Sequence, residues 1–428
     1  MSALLRGHDL FIIAASKGLL SVDRKRSTLF MPRSRKSDEC KCHRASAAMA
    51  GNSNLGAAKA AKNDEFYTQY ADIQKEINAY LEYNSDTFRD KTVLLPCDDP
   101  EWSNFTRFFA QNFERLGLKR LISTSYAVES KKYKDYEPTL FETESELYDP
   151  DKTRIKGKIF ELDRDADGNG RIDIDDLEFR YLEGDGDFRS PEVCALRDQS
   201  DIIVTNPPFS LFREFVAWIV AGRKHFLILG HMNAIHYKEV FPLIQTNQIW
   251  SGVGFNLSMV YKAPYENILE ANQKFVRSKG YNPDDNYIKV PAVCWFTNLE
   301  HGRRHEPLRL MSAHDNIRYG KNKDIKERGY LKYENYDAID VPSVESIPSD
   351  FTGIMGAPDS FLGQYCPEQF EIVGLGSGYL GQSIGVGGIP KEHKKLMKGH
   401  SAAGDLYLLI DGMPKVPYSR ILIRKKKQ

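Results

Sequence analysis

Asp201-Ile202-Ile203-Val204-Thr205-Asn206-Pro207-Pro208-Phe209 decides the fold of this chain. An unbroken run of β-branched apolar residues reads as a strand buried on both faces, and such strands belong to parallel sheets covered by helices. The prolines end the strand, because neither has an N–H to give to a ladder. Working outward, the same alternation recurs on both sides. Upstream, Ile73, Ile77, Tyr80 and Leu81 fall at helical spacing and 92–96 is a short apolar run. Phe105, Phe108, Phe109, Phe113 and Leu116 mark a second helix face closed by Gly117, and 119–124 supplies another strand. Downstream come a helix over 212–220, a strand over 225–229, a helix over 237–245 and a late strand over 292–297. The expected fold is α/β, a doubly wound and mostly parallel sheet. Beyond about residue 300, Pro342, Pro348, Pro358 and Pro367 cut the pattern into short pieces, which predicts a smaller C-terminal domain over 301–428.

At 428 residues the chain has room for two to three domains. Apolar residues at 41% and charged residues at 28% exclude a disordered tail protein, collagen and a disulfide-stapled miniprotein. Lys+Arg 59 against Asp+Glu 59 gives no net charge, so any basic face must be local. Six cysteines scattered at 40, 42, 97, 194, 294 and 366 point to a reducing compartment, and the expected location is cytoplasmic. No run approaches the roughly 18 apolar residues of a membrane span. Residues 1–48, with Arg24-Lys25-Arg26 and few acids, read as a flexible basic extension, and 49–300 as the catalytic domain. Cys40, Cys42 and His43 lack the second ligand pair of a zinc site.

An acidic insertion over about 151–183 interrupts the alternation. From Asp165 to Asp176 its oxygen side chains and Gly170 fit the places of a calcium loop. However, 158–163 and 171–175 alternate with period two around Asp167-Gly168-Asn169-Gly170, which predicts a hairpin, and no metal is expected.

The chemistry sits in the turn after the deciding strand. In doubly wound sheets, ligands bind beyond the carboxyl ends of the strands. Asn206, Pro207, Pro208 and Phe209 therefore face the expected cleft as a stiff turn that presents the Asn206 amide oxygen and backbone carbonyls. Two fixed acceptors recognise an NH2 group. Accepting both hydrogens of a base's exocyclic amine draws the nitrogen out of ring conjugation and frees its lone pair, while Phe209 stacks on the base. The plainer reading is a proline turn capping a strand, with Ser210 as the next helix N-cap. The aromatic in fourth place and the helix behind it favour amine methyl transfer.

From about Met49 to its end, the sequence resembles the EcoRI-like family of adenine-specific DNA methyltransferases. The likeness rests on Lys62-Asn63-Asp64-Glu65-Phe66-Tyr67-Thr68, Cys97-Asp98-Asp99-Pro100 with Ser103-Asn104-Phe105, Gly184-Asp185-Gly186-Asp187-Phe188-Arg189-Ser190 and Asn206 to Phe209. Further blocks are Trp295-Phe296-Thr297-Asn298-Leu299, Gly353-Ile354-Met355-Gly356-Ala357-Pro358 and Glu368-Gln369-Phe370-Glu371-Ile372. The resemblance implies a Rossmann-like fold that uses S-adenosylmethionine. It implies methylation of adenine N6 in a specific duplex DNA site by base flipping, with 301–428 as the target-recognition and DNA-binding region, as in restriction-modification systems, and leaves open a cognate restriction endonuclease for the same site.

By the same resemblance, Asp64, Phe66, Tyr67 and Thr68 match the stretch that closes over the methionine part of the cofactor. Cys97, Asp98 and Asp99, with Asn104 in the same block, stand where relatives carry a glycine-rich loop. The carboxylates are then expected to serve the amino group or the ribose, with helix capping as their other role. Asp187 matches the acid that accepts from the cofactor adenine amine, and Phe188 the aromatic beside that ring. For the DNA backbone, charge alone offers Arg303, Arg304, Arg309, Arg420, Arg424 and Lys425 to Lys427. Alternatives are an RNA or protein glutamine acceptor for the same turn, or an inactive calcium-binding scaffold.

Overall fold

The computed structural model describes residues 67–98, 103–127, 147–262, 270–285, 287–397 and 401–427. The basic extension over 1–48 and its Cys40, Cys42 and His43 lie outside these residues. Ten strands among the described residues form the main sheet. They are β1 (Tyr67–Thr68), β2 (Thr92–Leu95), β3 (Arg120–Ser125), β4 (Lys158–Leu162), β5 (Glu178–Tyr181), β6 (Ile202–Thr205), β7 (His225–His231), β8 (Trp250–Ser251), β9 (Leu257–Lys262) and β10 (Tyr287–Thr297). Their order is β1-β9-β10-β7-β6-β2-β3-β4-β5, with β8 also on β10.

The sheet has two characters. β3, β2, β6 and β7 run parallel at its centre, with Leu94 opposite Ile203 and Thr205 opposite Ile228. Antiparallel strands extend it on both sides, β4 and β5 beyond β3, and β10, β9 and β1 beyond β7. Every residue of β2 and β6 is buried, as their apolar runs require.

Helices cover both faces of this centre. Val93, Leu95, Val204 and Leu229 pack with Phe105, Phe108 and Phe109 of helix Asn104–Gln111. Leu94, Ile203 and Ile228 pack on the other face with Phe212, Phe215 and Ile219 of helix Phe212–Gly222. Alternate residues of one strand thus feed two cores, each fully buried aromatic or leucine contributing about 1.5–3 kcal/mol of transfer free energy.

A second sheet has the order β11 (Ala338–Asp340), β12 (Ile354–Pro358), β16 (Arg420–Lys425), β13 (Phe370–Leu375). A small pair, β14 (Leu408–Ile410) and β15 (Met413–Lys415), stands apart from it. One continuous hydrophobic cluster runs from Ile244 and Phe296 beside the main sheet to Phe361, Phe370 and Ile423 of the second. No helix among the described residues is long and apolar enough to cross a membrane.

Several boundaries differ from the sequence expectation. The hairpin is present, but its return strand is Glu178–Tyr181 instead of 171–175. The stretch before it is a loop ending in a 3-10 turn, Ile174–Asp176, because the Asp165 and Asp176 carboxylates absorb the loop amides. The helix expected over 237–245 begins only at Phe241, after a 3-10 turn at Met232–His236. The helix expected to Leu116 breaks at Asn112, whose side-chain amide donates to the Phe108 carbonyl.

Candidate active site

In chain order the parallel strands first build from β2 to β3 on one side, then from β6 to β7 on the other. Neighbouring strands β2 and β6 therefore part at their carboxyl ends, the topological switch point where such sheets bind ligands. Asp98 follows β2 and Asn206 follows β6, so both sequence-derived blocks meet there.

Asp98 is 7% exposed. The Ser103 hydroxyl donates to its Oδ1 at 2.7 Å and the Thr205 hydroxyl to its Oδ2 at 2.6 Å. Its backbone carbonyl accepts from Ser123 Oγ at 2.9 Å. Ser103 also caps helix Asn104–Gln111 by accepting from Phe105 N–H. The capping role thus belongs to Ser103, while Asp98 joins the end of β2 to Thr205 of β6 through its carboxylate and to Ser123 of β3 through its backbone carbonyl. Thr205 and Ser123 were not among the sequence-derived site residues. The signal for Thr205 was its place as the last residue of a buried strand, and for Ser123 its place within one, where a polar residue has no packing reason to stand.

Asn104 sits at the start of that helix and its Nδ2 donates to the Thr68 carbonyl at 2.8 Å. The structure thereby joins the Tyr67–Thr68 strand to the block after β2, two segments the sequence assigned to the same ligand. Asp64, Phe66 and Asp99 lie outside the described residues, as does the Tyr67 side chain. Cys97 is half-buried beside Tyr126 and in no disulfide.

Asp187 reaches the same edge through a close backbone approach. Gly186 has φ +84° and lies against the Ser125 carbonyl at the end of β3, leaving no space for a Cβ. A Cβ on Gly157 would stand 2.6 Å from the same oxygen. Asp187 is gripped by Arg189, whose Nε meets its Oδ1 at 2.9 Å and whose Nη2 meets its Oδ2 at 2.6 Å. Burial raises the Asp187 carboxyl, but the Arg189 hydrogen bonds and charge outweigh it and hold it below the usual carboxylate range.

Phe188 departs from its expected role. Its ring is fully buried, edge-on to Phe215 and Trp218, with the Arg189 guanidinium over it. A side chain so placed has no face left for a cofactor ring; what it presents is its backbone N–H, which donates to the Tyr126 hydroxyl at 3.4 Å. Tyr126, directly after β3, is a further candidate that the sequence reading passed over. Burial pushes its hydroxyl far up, with Cys97 and Asp187 adding to the effect, so it stays protonated.

The Asn206 to Phe209 turn directly follows β6. Pro207 is buried and Asn206, Pro208 and Phe209 are half-buried, with Phe209 opening a 3-10 turn into helix Phe212–Gly222. Phe212 seats this turn by lying against Gly230 of β7, where any side chain would overlap its ring.

Donor chemistry at this edge fits a positively charged methyl donor with an adenosine half: the Asp98 carboxylate after β2, the Asp187 carboxylate brought beside the end of β3 by Gly186, and an amide and carbonyl turn at the end of β6. The residues that would hold it are Asp98, Asp187, Thr68 and Asn104.

The charge-derived DNA residues fare unevenly. Arg304 is 3% exposed, stacked 3.8 Å over Trp250 and paired with Glu300, and Arg420 is 8% exposed and paired with Asp340 at 2.8 Å. Both are interior braces and not phosphate contacts, because their charge is already neutralised out of water. Arg303 is exposed and donates to the Val253 carbonyl, and Arg424 pairs with Glu371 at 2.8 Å. At the hairpin tip, the ligand atoms of Asp165, Asp167 and Asp176 lie within 4.8 Å of one another, so hairpin and acidic cluster coexist.

Comparison with known proteins agrees with this geometry. Residues 54–426 match the family described as Adenine-specific methyltransferase EcoRI. Type II methyltransferase M.EcoRI of Escherichia coli is 38% identical over 381 residues, 88% of this chain and 98% of that protein. Type II methyltransferase M.MpnI of Mycoplasma pneumoniae is 35% identical over 320 residues, 74% of this chain and 83% of that protein. No solved structure matches the chain. The RNA, glutamine and inactive-scaffold alternatives find no support in these matches. Matched over almost its full length, the chain belongs to the EcoRI family of adenine-specific DNA methyltransferases.

Proposed function

We propose how this adenine-specific methyltransferase works: it methylates the exocyclic N6 of adenine in a specific duplex DNA site, using Asn206, Pro207, Pro208 and Phe209 on a base rotated out of the helix. The observation that carries this reading is the Thr205–Asp98 hydrogen bond, which couples the acceptor turn to the cofactor block at 2.6 Å. A base amine inside a duplex cannot reach this edge, so extrusion is required. The Asn206 amide oxygen and the Pro207 carbonyl accept the two amine hydrogens, pulling the nitrogen toward tetrahedral geometry with its lone pair free. Phe209 stacks on the base and fixes its plane, and prolines hold both acceptors without reorganisation.

S-adenosylmethionine, when bound, supplies an electrophilic methyl group on a positively charged sulfur. Asp98 is the residue suited to its ammonium or ribose, and Asp187 to its adenine. Exclusion of water and alignment, with no covalent enzyme intermediate, then account for the rate. The Type II relatives support a place in a restriction-modification system, with a cognate endonuclease as partner and the cytoplasm as the site of action.

Tritiated methyl transfer from S-adenosylmethionine to mixed genomic DNA, followed by base analysis, tests this. The expected product is N6-methyladenine. Label confined to RNA or protein overturns it.

A further inference from the structure

The second sheet is anchored at both ends to the main one, and the two anchors orient it. At one end, Asp359, next after β12, accepts from His236 Nε2 at 3.0 Å, and His236 ends the 3-10 turn that follows the carboxyl end of β7. At the other, Glu368 Oε1 lies 3.0 Å from His305 Nδ1, and His305 follows β10. β10 is antiparallel to β7 and exits beside the start of β7, with Thr297 opposite Leu227, at the amino edge of the parallel strands. One end of the second sheet therefore belongs to the catalytic edge and the other to the edge away from it.

Register then sorts the basic residues. Arg420 is opposite Pro358, at the catalytic end, whereas Lys425 is opposite Phe370, at the far end. Five strand steps separate them, about 17 Å at roughly 3.3 Å per residue. The terminal lysine run, the most basic stretch of the C-terminal region, is thus on the wrong side for DNA whose base enters beside Asn206. Arg303 and Arg304, also following β10, share that remote edge.

The excursion over 376–419 is rooted at the catalytic end and folds back over the sheet, where Val386, Leu406 and Leu408 pack with Ala338 and Leu422. The chain leaves β13 at Leu375 and re-enters β16 at Arg420 on the neighbouring strand, and Gly376 N–H donates to the Arg420 carbonyl at 2.8 Å. The base of the excursion is fixed. Asp405 accepts from Ser377 Oγ at 3.0 Å and from the N–H groups of Gly378 at 2.9 Å and Ala402 at 2.6 Å. Its surface carries what the rest of the second sheet lacks. Tyr418 is 94% exposed and Tyr379 is 71% exposed, large aromatics that a protein's own packing does not use. Lys391, Lys394, Lys395 and Lys415 are exposed as well. Among its described residues the excursion has four lysines against three acids. Of the acids, Asp405 is engaged internally and Asp411 lies 3.8 Å from Arg328.

Resting on the DNA reading above, we propose that this excursion is the DNA-contacting lobe of the enzyme. Lys391, Lys394, Lys395 and Lys415 meet phosphates, and Tyr379 and Tyr418 meet the bases or sugars of the duplex flanking the extruded adenine. Basic side chains interleaved with exposed aromatics match a polyanion with stacking faces, and the root of the lobe, which carries Tyr379 and Tyr418, is at the end of the sheet that such a ligand reaches.

The test compares three full-length variants. Lys394→Ala/Lys395→Ala and Tyr418→Ala alter the lobe, and Lys426→Ala/Lys427→Ala alters the far end; all change exposed side chains. Binding to sheared genomic DNA is measured across about 50 to 200 mM salt, with S-adenosylmethionine binding measured separately. The lobe double variant is expected to bind DNA at least tenfold more weakly at the lower salt and to lower the log–log salt slope by about 2, one unit per lost phosphate contact. Tyr418→Ala is expected to lose about tenfold in kcat/KM on the same DNA, the cost of one lost stacking contact. The far-end variant keeps the wild-type slope, and all three keep cofactor binding. A slope lost in the far-end variant and retained in the lobe variant overturns the proposal while leaving the enzyme a DNA methyltransferase. Wild type that binds cofactor but modifies no DNA overturns the reading beneath it.

Discussion

Thr205 Oγ1 lies 2.6 Å from Asp98 Oδ2, a buried hydrogen bond that joins the strand ending in the acceptor turn to the strand ending in the cofactor block. Thr205→Val keeps the shape and removes the donor, leaving a carboxylate oxygen short of one partner. The expected cost is about 1–3 kcal/mol of stability, seen as a lower denaturant midpoint, together with weaker S-adenosylmethionine binding. Thr205→Ser restores both. Calorimetric titration that finds cofactor affinity unchanged in the valine variant contradicts the coupling.

Asn206→Ala removes one of the two acceptors proposed for the amine. The expected loss in methyl transfer is about 10²–10³-fold or more, the scale of removing one preorganised polar group. Binding of DNA and of cofactor is expected to survive, because the turn is held by its prolines and by Phe212 on Gly230. Single-turnover rates with saturating DNA and cofactor separate the two.

Arg420 and Arg424 stand four residues apart on one strand and predict opposite outcomes. Arg420→Ala strands Asp340, which also accepts from the Tyr333 hydroxyl at 2.6 Å, inside the protein. The loss is about 3–5 kcal/mol. Arg424→Ala breaks an ion pair whose side chains are each nearly half exposed, and costs about 1 kcal/mol or less. Urea unfolding of the two variants decides whether Arg420 is a brace or a DNA contact.

Glu76 gives the fold a pH dependence. It is 3% exposed, and its two oxygens accept the Val253 and Gly254 N–H groups at 2.7 and 2.8 Å. Burial raises its carboxyl to about 7 against the pull of those amides and of the Tyr80 hydroxyl. The native state then holds a proton that the unfolded chain releases near 4.5. Stability from this group is full below that point and falls as pH rises through about 7, by roughly 3 kcal/mol in all. Denaturant midpoints across this range are expected to show the decline, and Glu76→Gln to flatten it.

The parallel centre was legible because its strands are buried on both faces and so are apolar without interruption, as in Ile202-Ile203-Val204. Where one face is wet the pattern weakens. β10 starts at Tyr287, five residues before the expected strand, because Lys289 and Pro291 interrupt its first half and Ala292 takes φ +56° at a bulge. Of the candidate site, Asp98 and Asn206 stand in motifs that single them out, and the structure puts both at the ends of adjacent strands. Tyr126 and Thr205 matter through where a strand ends, which no motif marks. Phe188 and Arg420 were misread for the same reason: residue type states what a side chain is able to touch, and only packing states which way it is turned. Counting charges cannot separate an arginine stacked on Trp250 from one in water.

The acidic hairpin has one more consequence. β4 and β5 do not hang off the domain; they continue the ladder of β3. Trimming this insertion as a dispensable loop would bare the Arg120–Ser125 strand along its length, with its N–H and C=O groups unpaired. A truncated protein would then be prone to edge-to-edge self-association. The insertion works as a selvedge that finishes the border of the sheet.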